Sequence, residues 1–219
     1  MNNYLVSSII VLGIFIVFTL VIYINIIELH DNTSESSFFN EFDAGVLQAQ
    51  SYFFSPVVTE FMNILSDFGR EYFWIIIPIL LFVFGGIDGR IVALIILISF
   101  ILVIPFTTLV KDLVDRDRPL VYCGTSVNKL PVDESYPSGH ASMVSAGAMA
   151  ALLLLRKCPR QKLISYLLVI EAGLVCLSRL YLGVHYPTDV IGGILLGSGV
   201  ALLVTSTHKM IERFVKSKI

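Results

Sequence analysis

Charged residues are scarce in this sequence: Asp, Glu, Lys and Arg supply 15% of 219 residues, where a soluble globular domain carries about a quarter. With 56% hydrophobic residues and a mean hydropathy of +0.83, that scarcity excludes an ordinary cytosolic domain and a disordered chain. A basic excess is missing too. Fifteen Lys and Arg against seventeen Asp and Glu leave a net charge of −2, without the surplus that neutralises phosphates in a nucleic-acid complex, so nucleic acid is not an expected partner. Cysteine is sparse: Cys123, Cys158 and Cys176 are far apart and form no CxxC pair, which points to neither a zinc site nor a disulfide framework. No Lys or Arg precedes Arg70, and the first apolar run has no small-residue cleavage site, which argues against a cleaved signal peptide. No internal repeat, low-complexity tract or second domain is visible, so residues 1–219 read as a single membrane domain.

Long apolar runs are what the chain has. A bilayer core about 30 Å thick takes roughly 20 residues of helix, and the stretches 4–27, 91–110, 141–155, 163–182 and 190–207 fit it. A sixth, 72–84, is short and reaches span length only if helix runs back through 61–68 or the span tilts. The expected fold is an all-α bundle of six transmembrane helices. Between the first two, Phe38, Phe39, Glu41, Phe42 and Asp43, then Tyr52, Phe53 and Phe54, mix aromatics with acids. That mixture fits a helix lying in the interface, or a folded outer loop. Nine of the fifteen cations, including Arg90, Arg156, Lys157, Lys209 and Arg213, fall on the N-terminal side of such a bundle. The positive-inside rule then puts both termini in the cytoplasm and the loops 111–137 and 178–189 on the outer face.

Polar clusters at helix ends stand out against this background. In the first, Lys111 and Arg118 are seven residues apart, close to two helical turns, so both cations can share a face before Pro119 discourages further helix. The second is Pro137-Ser138-Gly139-His140 before a long apolar run. Ser138, Gly139 and the free N–H groups of a helix start form a seat for an anion, with His140 beside it to move a proton. In the third, Ser178-Arg179 leads to His185 and Asp189. With Pro187 in the first turn of the last helix, Asp189 can fix one imidazole nitrogen of His185 and leave the other as nucleophile or base. Three cations, two histidines, a serine and a carboxylate on one face describe a pocket for a tetrahedral anion. A metal bound by His140, His185 and Asp189 is the competing idea; the surrounding Lys and Arg would repel a divalent ion but balance a phosphate.

Lys111-x6-Arg118-Pro119, Pro137-Ser138-Gly139-His140 and Ser178-Arg179-x5-His185-x3-Asp189 resemble the three-part signature of the type 2 phosphatidic acid phosphatase superfamily. The motifs lie within 111–189, and the six apolar runs carry the similarity over most of the chain. The resemblance implies a six-helix membrane phosphatase with no metal and no cofactor, its site near the outer interface. It further implies that His185 attacks phosphorus to form a phosphohistidine and that Asp189 orients it. His140 would protonate the leaving oxygen and later help activate water. Lys111, Arg118, Ser138, the Gly139 backbone and Arg179 would hold the phosphate oxygens. Phosphotransferases of the family share the pocket, and nothing in the sequence separates them from hydrolases.

The expected partner is a lipid phosphate drawn from the bilayer: a polyprenyl diphosphate, or a glycerolipid phosphate such as phosphatidic acid or phosphatidylglycerol phosphate. A transporter that holds such a headgroup without chemistry is the rival class, but paired broken helices are not evident. Nothing sets the oligomeric state. Glu171, mid-run in the fifth stretch, reads as a packing or hydrogen-bonding residue, and Gly193-x3-Gly197 as a close helix contact within the chain. Asn32-Thr33-Ser34 is a glycosylation-type sequon, and 120–136 is the expected region of headgroup selection.

Overall fold

The structure, a computed structural model, describes residues 3–30, 38–119 and 133–217. The sequon and most of the expected headgroup-selecting region lie outside them. The described residues form helices α1 (Asn3–His30), α2 (Phe38–Ser51), α3 (Pro56–Asp67), α4 (Trp74–Phe84), α5 (Gly86–Val114), α6 (Gly139–Leu154), α7 (Pro159–Tyr181), α8 (Pro187–Thr205) and α9 (His208–Lys216), with a π-helical segment, Phe68–Phe73, joining α3 to α4. Each of the six apolar runs falls on a helix. By length and composition α1, α5, α7 and α8 could cross a membrane, while α6 is shorter. The short run at 72–84 is continued back by the π segment and α3, so helical backbone extends from Pro56 to Phe84. The segment between the first two runs is helical as α2. The fold is all-helical among the described residues, with the apolar helices of a multi-pass membrane protein.

Local chemistry sets the helix ends. Pro56, Pro159 and Pro187 open α3, α7 and α8, where the missing N–H costs nothing. Between α4 and α5, Gly86 has φ +63, and a Cβ on Gly89 would stand 2.3 Å from the Leu81 carbonyl oxygen. The two helices therefore meet in a hairpin that only small residues allow.

Helix α8 is the buried axis, packed against α6, α1 and α5. Its small residues permit that approach: a Cβ on Gly193 would lie 2.6 Å from Ser138 O, one on Gly197 2.0 Å from Ser142 O, and one on Gly199 2.6 Å from Leu12. The Gly193-x3-Gly197 pair thus packs within the chain, on α6. Gly147 of α6 receives the Trp74 ring, whose Nε1 donates to Glu171 Oε2 at 2.7 Å, the hydrogen-bonding role expected of that carboxyl. Leu20, Ile24, Ile101 and Ile104 face outward from the bundle. At one end Tyr4 meets His208 edge-on at 5.9 Å, and Lys157 pairs with Asp88 at 2.6 Å. The polar clusters gather at the other.

Candidate active site

The first cluster departs from its expected local form. Helix α5 stops at Val114, and Asp115 turns left-handed (φ 48, ψ 51). Lys111 is on the last turn and Arg118 on the non-helical chain beyond, so the two cations do not share a helical face. The break lets Arg116 enter the interior. It donates to Thr188 Oγ1 and Asp189 Oδ1 from Nη1 and to Asp43 Oδ2 from Nη2, each at 2.7 Å, while its guanidinium lies 4.0 Å over the Tyr186 ring. Burial opposes the Arg116 charge, but Asp189 and Asp43 outweigh it and hold the proton more tightly than usual. Ser135 N donates to Arg116 O (2.7 Å) and Ser138 N to Asp189 O (3.0 Å), tying the three clusters together.

Asp189, at the third position of α8, is fully buried. It accepts from Tyr186 N (2.8 Å), from Arg116 and from the Ser135 hydroxyl. Its Oδ2 lies 3.4 Å from His185 Nδ1. On the other edge of the ring Arg118 Nη1 lies 3.1 Å from His185 Nε2. A guanidinium has no acceptor, so Nε2 must be the accepting nitrogen and the proton sits on Nδ1, towards Asp189. Burial pushes the His185 imidazole down to about 4, with Arg179 and Arg118 acting in the same sense and Asp189 against it. The ring is neutral near pH 7, with its lone pair facing Arg118.

His140 is held in the opposite tautomer. Arg70 Nη1 lies 3.3 Å from His140 Nδ1; by the same donor rule Nδ1 accepts and the proton rests on Nε2.

These groups line a cavity of about 290 Å³ with four cations, Arg70, Lys111, Arg118 and Arg179, and with Gly139, His140 and His185. The N-terminus of α6 faces it through Gly139 and His140, adding the positive end of a helix. Ser138 is the cap of that helix, its hydroxyl accepting from Ala141 N at 3.5 Å, and does not line the cavity. Arg179 is buried and donates to Ser66 Oγ, yet its Nε has no partner among the described residues. One carboxylate enters. Asp133 pairs with Lys111 at 2.9 Å and Arg118 at 2.8 Å, lying across them as a phosphate would. Burial would raise the Asp133 carboxyl, but the Lys111 ammonium and the Arg118 guanidinium outweigh it and hold it at about 2. A larger cavity, about 710 Å³, lies beyond Arg116 between α1 and α2 and contains neither histidine.

The donor set suits an anion better than a metal. Asp189 meets His185 on the edge turned from Arg118, four cations surround the space, and no group of three His, Cys, Asp or Glu side chains suited to a metal occurs among the described residues.

Sequence reading missed Asp43, Arg70, Arg116 and Ser135. Arg70 had a faint signal, as the first cation of an apolar chain. Asp43 had none, since its partners Arg116 and Thr188 lie 73 and 145 residues away.

Residues 90–213 match the model of the PAP2 superfamily. An undecaprenyl-diphosphatase of Sulfolobus acidocaldarius is 39% identical over 163 residues, 71% of this chain and 76% of that protein. Phosphatidylglycerophosphatase B of Bacillus subtilis is 26% identical over 85% of this chain and 90% of its own length. The crystal structure of a transmembrane PAP2-type phosphatidylglycerolphosphate phosphatase from Bacillus subtilis superposes with a TM-score of 0.71 over 94% of this chain and 98% of that one, at 24% identity, a likeness of fold. With its family model matched over more than half the chain and a 39%-identical relative aligned along most of it, this chain belongs to the PAP2 superfamily.

Proposed function

We propose that residues 1–219 form one membrane domain that removes the terminal phosphate of a lipid phosphate or diphosphate, without a metal, through a phosphohistidine on His185. The observation that carries this reading is the pair of guanidinium contacts, Arg118 Nη1 on His185 Nε2 and Arg70 Nη1 on His140 Nδ1, on one cation-lined cavity, which leaves His185 Nε2 as a lone pair and His140 Nε2 as a donor. A binding protein has no use for a carboxylate-backed imidazole.

In the first step the His185 Nε2 lone pair attacks phosphorus. A P–N bond forms, the P–O bond to the lipid breaks, and the leaving oxygen keeps the electron pair and takes the proton of His140 Nε2. Lys111, Arg118, Arg179 and the Gly139 and His140 backbone N–H groups hold the equatorial oxygens, whose charge is spread in this kind of transfer. Ser138 contributes by holding the start of α6 in place. Asp133 swings off Lys111 and Arg118 as the phosphate arrives. Asp189 stabilises the cation that forms on the phosphorylated ring. In the second step His140 Nε2 takes one proton from the attacking water, the P–N pair returns to His185 Nε2, and phosphate leaves carrying the other proton.

The membrane frame of this reading has six spans, α1, the α3–α4 helix, α5, α6, α7 and α8, with α2 in the interface. Both termini are cytoplasmic and the cavity opens at the outer face. Cations at the Lys157 and His208 end support that orientation. The partner is a lipid of the surrounding bilayer, and the relatives favour a polyprenyl diphosphate over a glycerolipid phosphate.

Phosphate release by detergent-purified protein, with EDTA present, tests the proposal on a polyprenyl diphosphate, phosphatidic acid, phosphatidylglycerol phosphate and a soluble ester. The expected result is release from a lipid substrate by the wild type and none by His185→Ala. Release that needs an added metal, or that survives in His185→Ala, would overturn it. A wild type that labels an acceptor other than water would make it a phosphotransferase.

A further inference from the structure

Helices α4 and α7 meet towards the histidines and part away from them. On the near side Trp74 Nε1 donates to Glu171 at 2.7 Å, and a Cβ on Gly69 would stand 2.6 Å from Val175 Cγ2. Towards the far end a cavity of about 640 Å³ opens between the two helices, lined by Ile77, Leu81 and Phe84 of α4, by Leu155 after α6, and by Arg160 and Ile164 of α7. Its volume lies in the range of ligand sites, about 300–1,000 Å³. Around it Leu80, Leu163 and Leu167 are exposed on the outer faces of α4 and α7. In a multi-pass membrane protein such faces meet lipid tails, so the cavity fills from the bilayer rather than from water.

Charge at this end of the bundle is lopsided. The acids there, among the described residues, are Asp88 and Glu212, and each is taken, by Lys157 and by Lys216 at 2.6 Å. Arg156, Arg160 and Lys162 are exposed and have no carboxylate partner among the described residues. Gln161 Oε1 accepts from Lys157 N at 2.9 Å and so does not serve Arg160. An apolar cavity with an unpaired guanidinium in its wall, flanked in sequence by two more cations, asks for an occupant with an apolar body and an anionic head.

We propose that this cavity holds one anionic phospholipid of the leaflet opposite the catalytic cavity, with an acyl chain between α4 and α7 and its phosphate on Arg160. The proposal rests on the chain crossing a membrane and not on the chemistry of His185. Basic pockets between membrane helices take headgroups of this kind. Arg160 supplies forked donors that match phosphate oxygens, and Arg156 and Lys162 add positive potential around them. A zwitterionic lipid would fill the walls but leave the surplus charge unmet. A second copy of the chain fits worse, because it would bring the same cations face to face. The lipid ties α4 to α7 across a gap that their own side chains leave.

The test uses the full chain, purified in detergent, with dioleoyl phosphatidylglycerol or dioleoyl phosphatidylcholine added. Neither lipid carries a terminal phosphate, so neither is a substrate of the histidine site. Native mass spectrometry counts the bound lipid. The rate of N-ethylmaleimide labelling at Cys158, an exposed thiol in the cavity wall, shows where it sits. The expected result is one phosphatidylglycerol held several-fold more tightly than phosphatidylcholine, several-fold slower labelling of Cys158 in its presence, and loss of both differences in Arg160→Gln. Equal retention and equal shielding by the two lipids would overturn the proposal, as would a preference for phosphatidylglycerol that survives in Arg160→Gln or leaves Cys158 unshielded. A lipid-free dimer with a shielded Cys158 would overturn it in favour of a second copy. If Arg160→Gln does not fold, Ile164→Trp, which fills the cavity and keeps the charges, decides: loss of the bound phosphatidylglycerol supports the proposal and retention at the wild-type level overturns it. Phosphate release enters neither readout, so an inactive protein that binds phosphatidylglycerol in this way overturns the phosphatase reading alone.

Discussion

The two sides of His185 are held by ion pairs of opposite character. Behind the ring, Asp189, Arg116 and Asp43 form a chain of charges that is almost wholly buried, with every contact at 2.7 Å. In front, Lys111 and Arg118 share Asp133, whose side chain is 52% exposed. The buried chain has no solvent to replace a lost partner, so each member depends on the others. Only Asp133 of this group is open to water, which can take its place, so it is traded for another anion more cheaply than any member of the buried chain. One arrangement fixes the nucleophile, and the other keeps a place for what it attacks.

Removing the charge that orients the nucleophile tests this contrast most severely. Asp189→Asn can present its amide N–H to His185 Nδ1 and so reverse the tautomer; kcat should fall by roughly 10³–10⁴ while inorganic phosphate still binds, as competition assays would register. If kcat changes by less than tenfold, the orienting role is lost. Arg116→Met should come next. It leaves two buried carboxylates facing each other and should cost about 3–5 kcal/mol, read as a lowered denaturation midpoint in detergent; the double variant Arg116→Met, Asp43→Asn should recover part of it.

A pH titration separates the two sides further. A neutral His185 requires a pH above its pKa, which burial lowers to about 4, so its ¹⁵N imidazole resonances should titrate near pH 4 rather than near the ordinary value of about 6.5. The lowered pKa keeps the nucleophile unprotonated as the solution is acidified, and attack is lost only as pH falls through that value. Titration near 6.5 would mean that the ring is open to water. The smallest effect belongs to the front. Asp133→Asn removes the anion that competes with substrate, and KM should drop several-fold with little change in kcat. A raised KM would instead make Asp133 part of the binding surface.

Much of this was legible in the chain itself. Apolar length marked six helical runs, and the step from His185 to Asp189 marked a carboxylate four residues on, at the start of a helix opened by Pro187. Both are local: helical rise and the first-turn geometry fix them wherever the chain goes. Gly193 and Gly197 were legible as a contact for the same reason, being one turn apart on one face.

The rest was set by tertiary structure. Lys111 and Arg118 were placed on one helical face by their spacing, but α5 ends at Val114, the chain turns at Asp115, and Arg116 is drawn between Asp43 and Asp189. Sequence carries no trace of that bargain, because a buried guanidinium is stabilised by whichever carboxylates the fold brings to it. The tautomers of His140 and His185 depend likewise on Arg70 and Arg118, which reach them across 70 and 67 residues. The amino-acid sequence by itself determined which residues have the chemistry and on which helix ends they sit. Only the packing of the π segment and of the chain beyond α5 against those ends decided which imidazole nitrogen bears each proton, since a proton's place is set by the donor facing it and not by the residue that carries it.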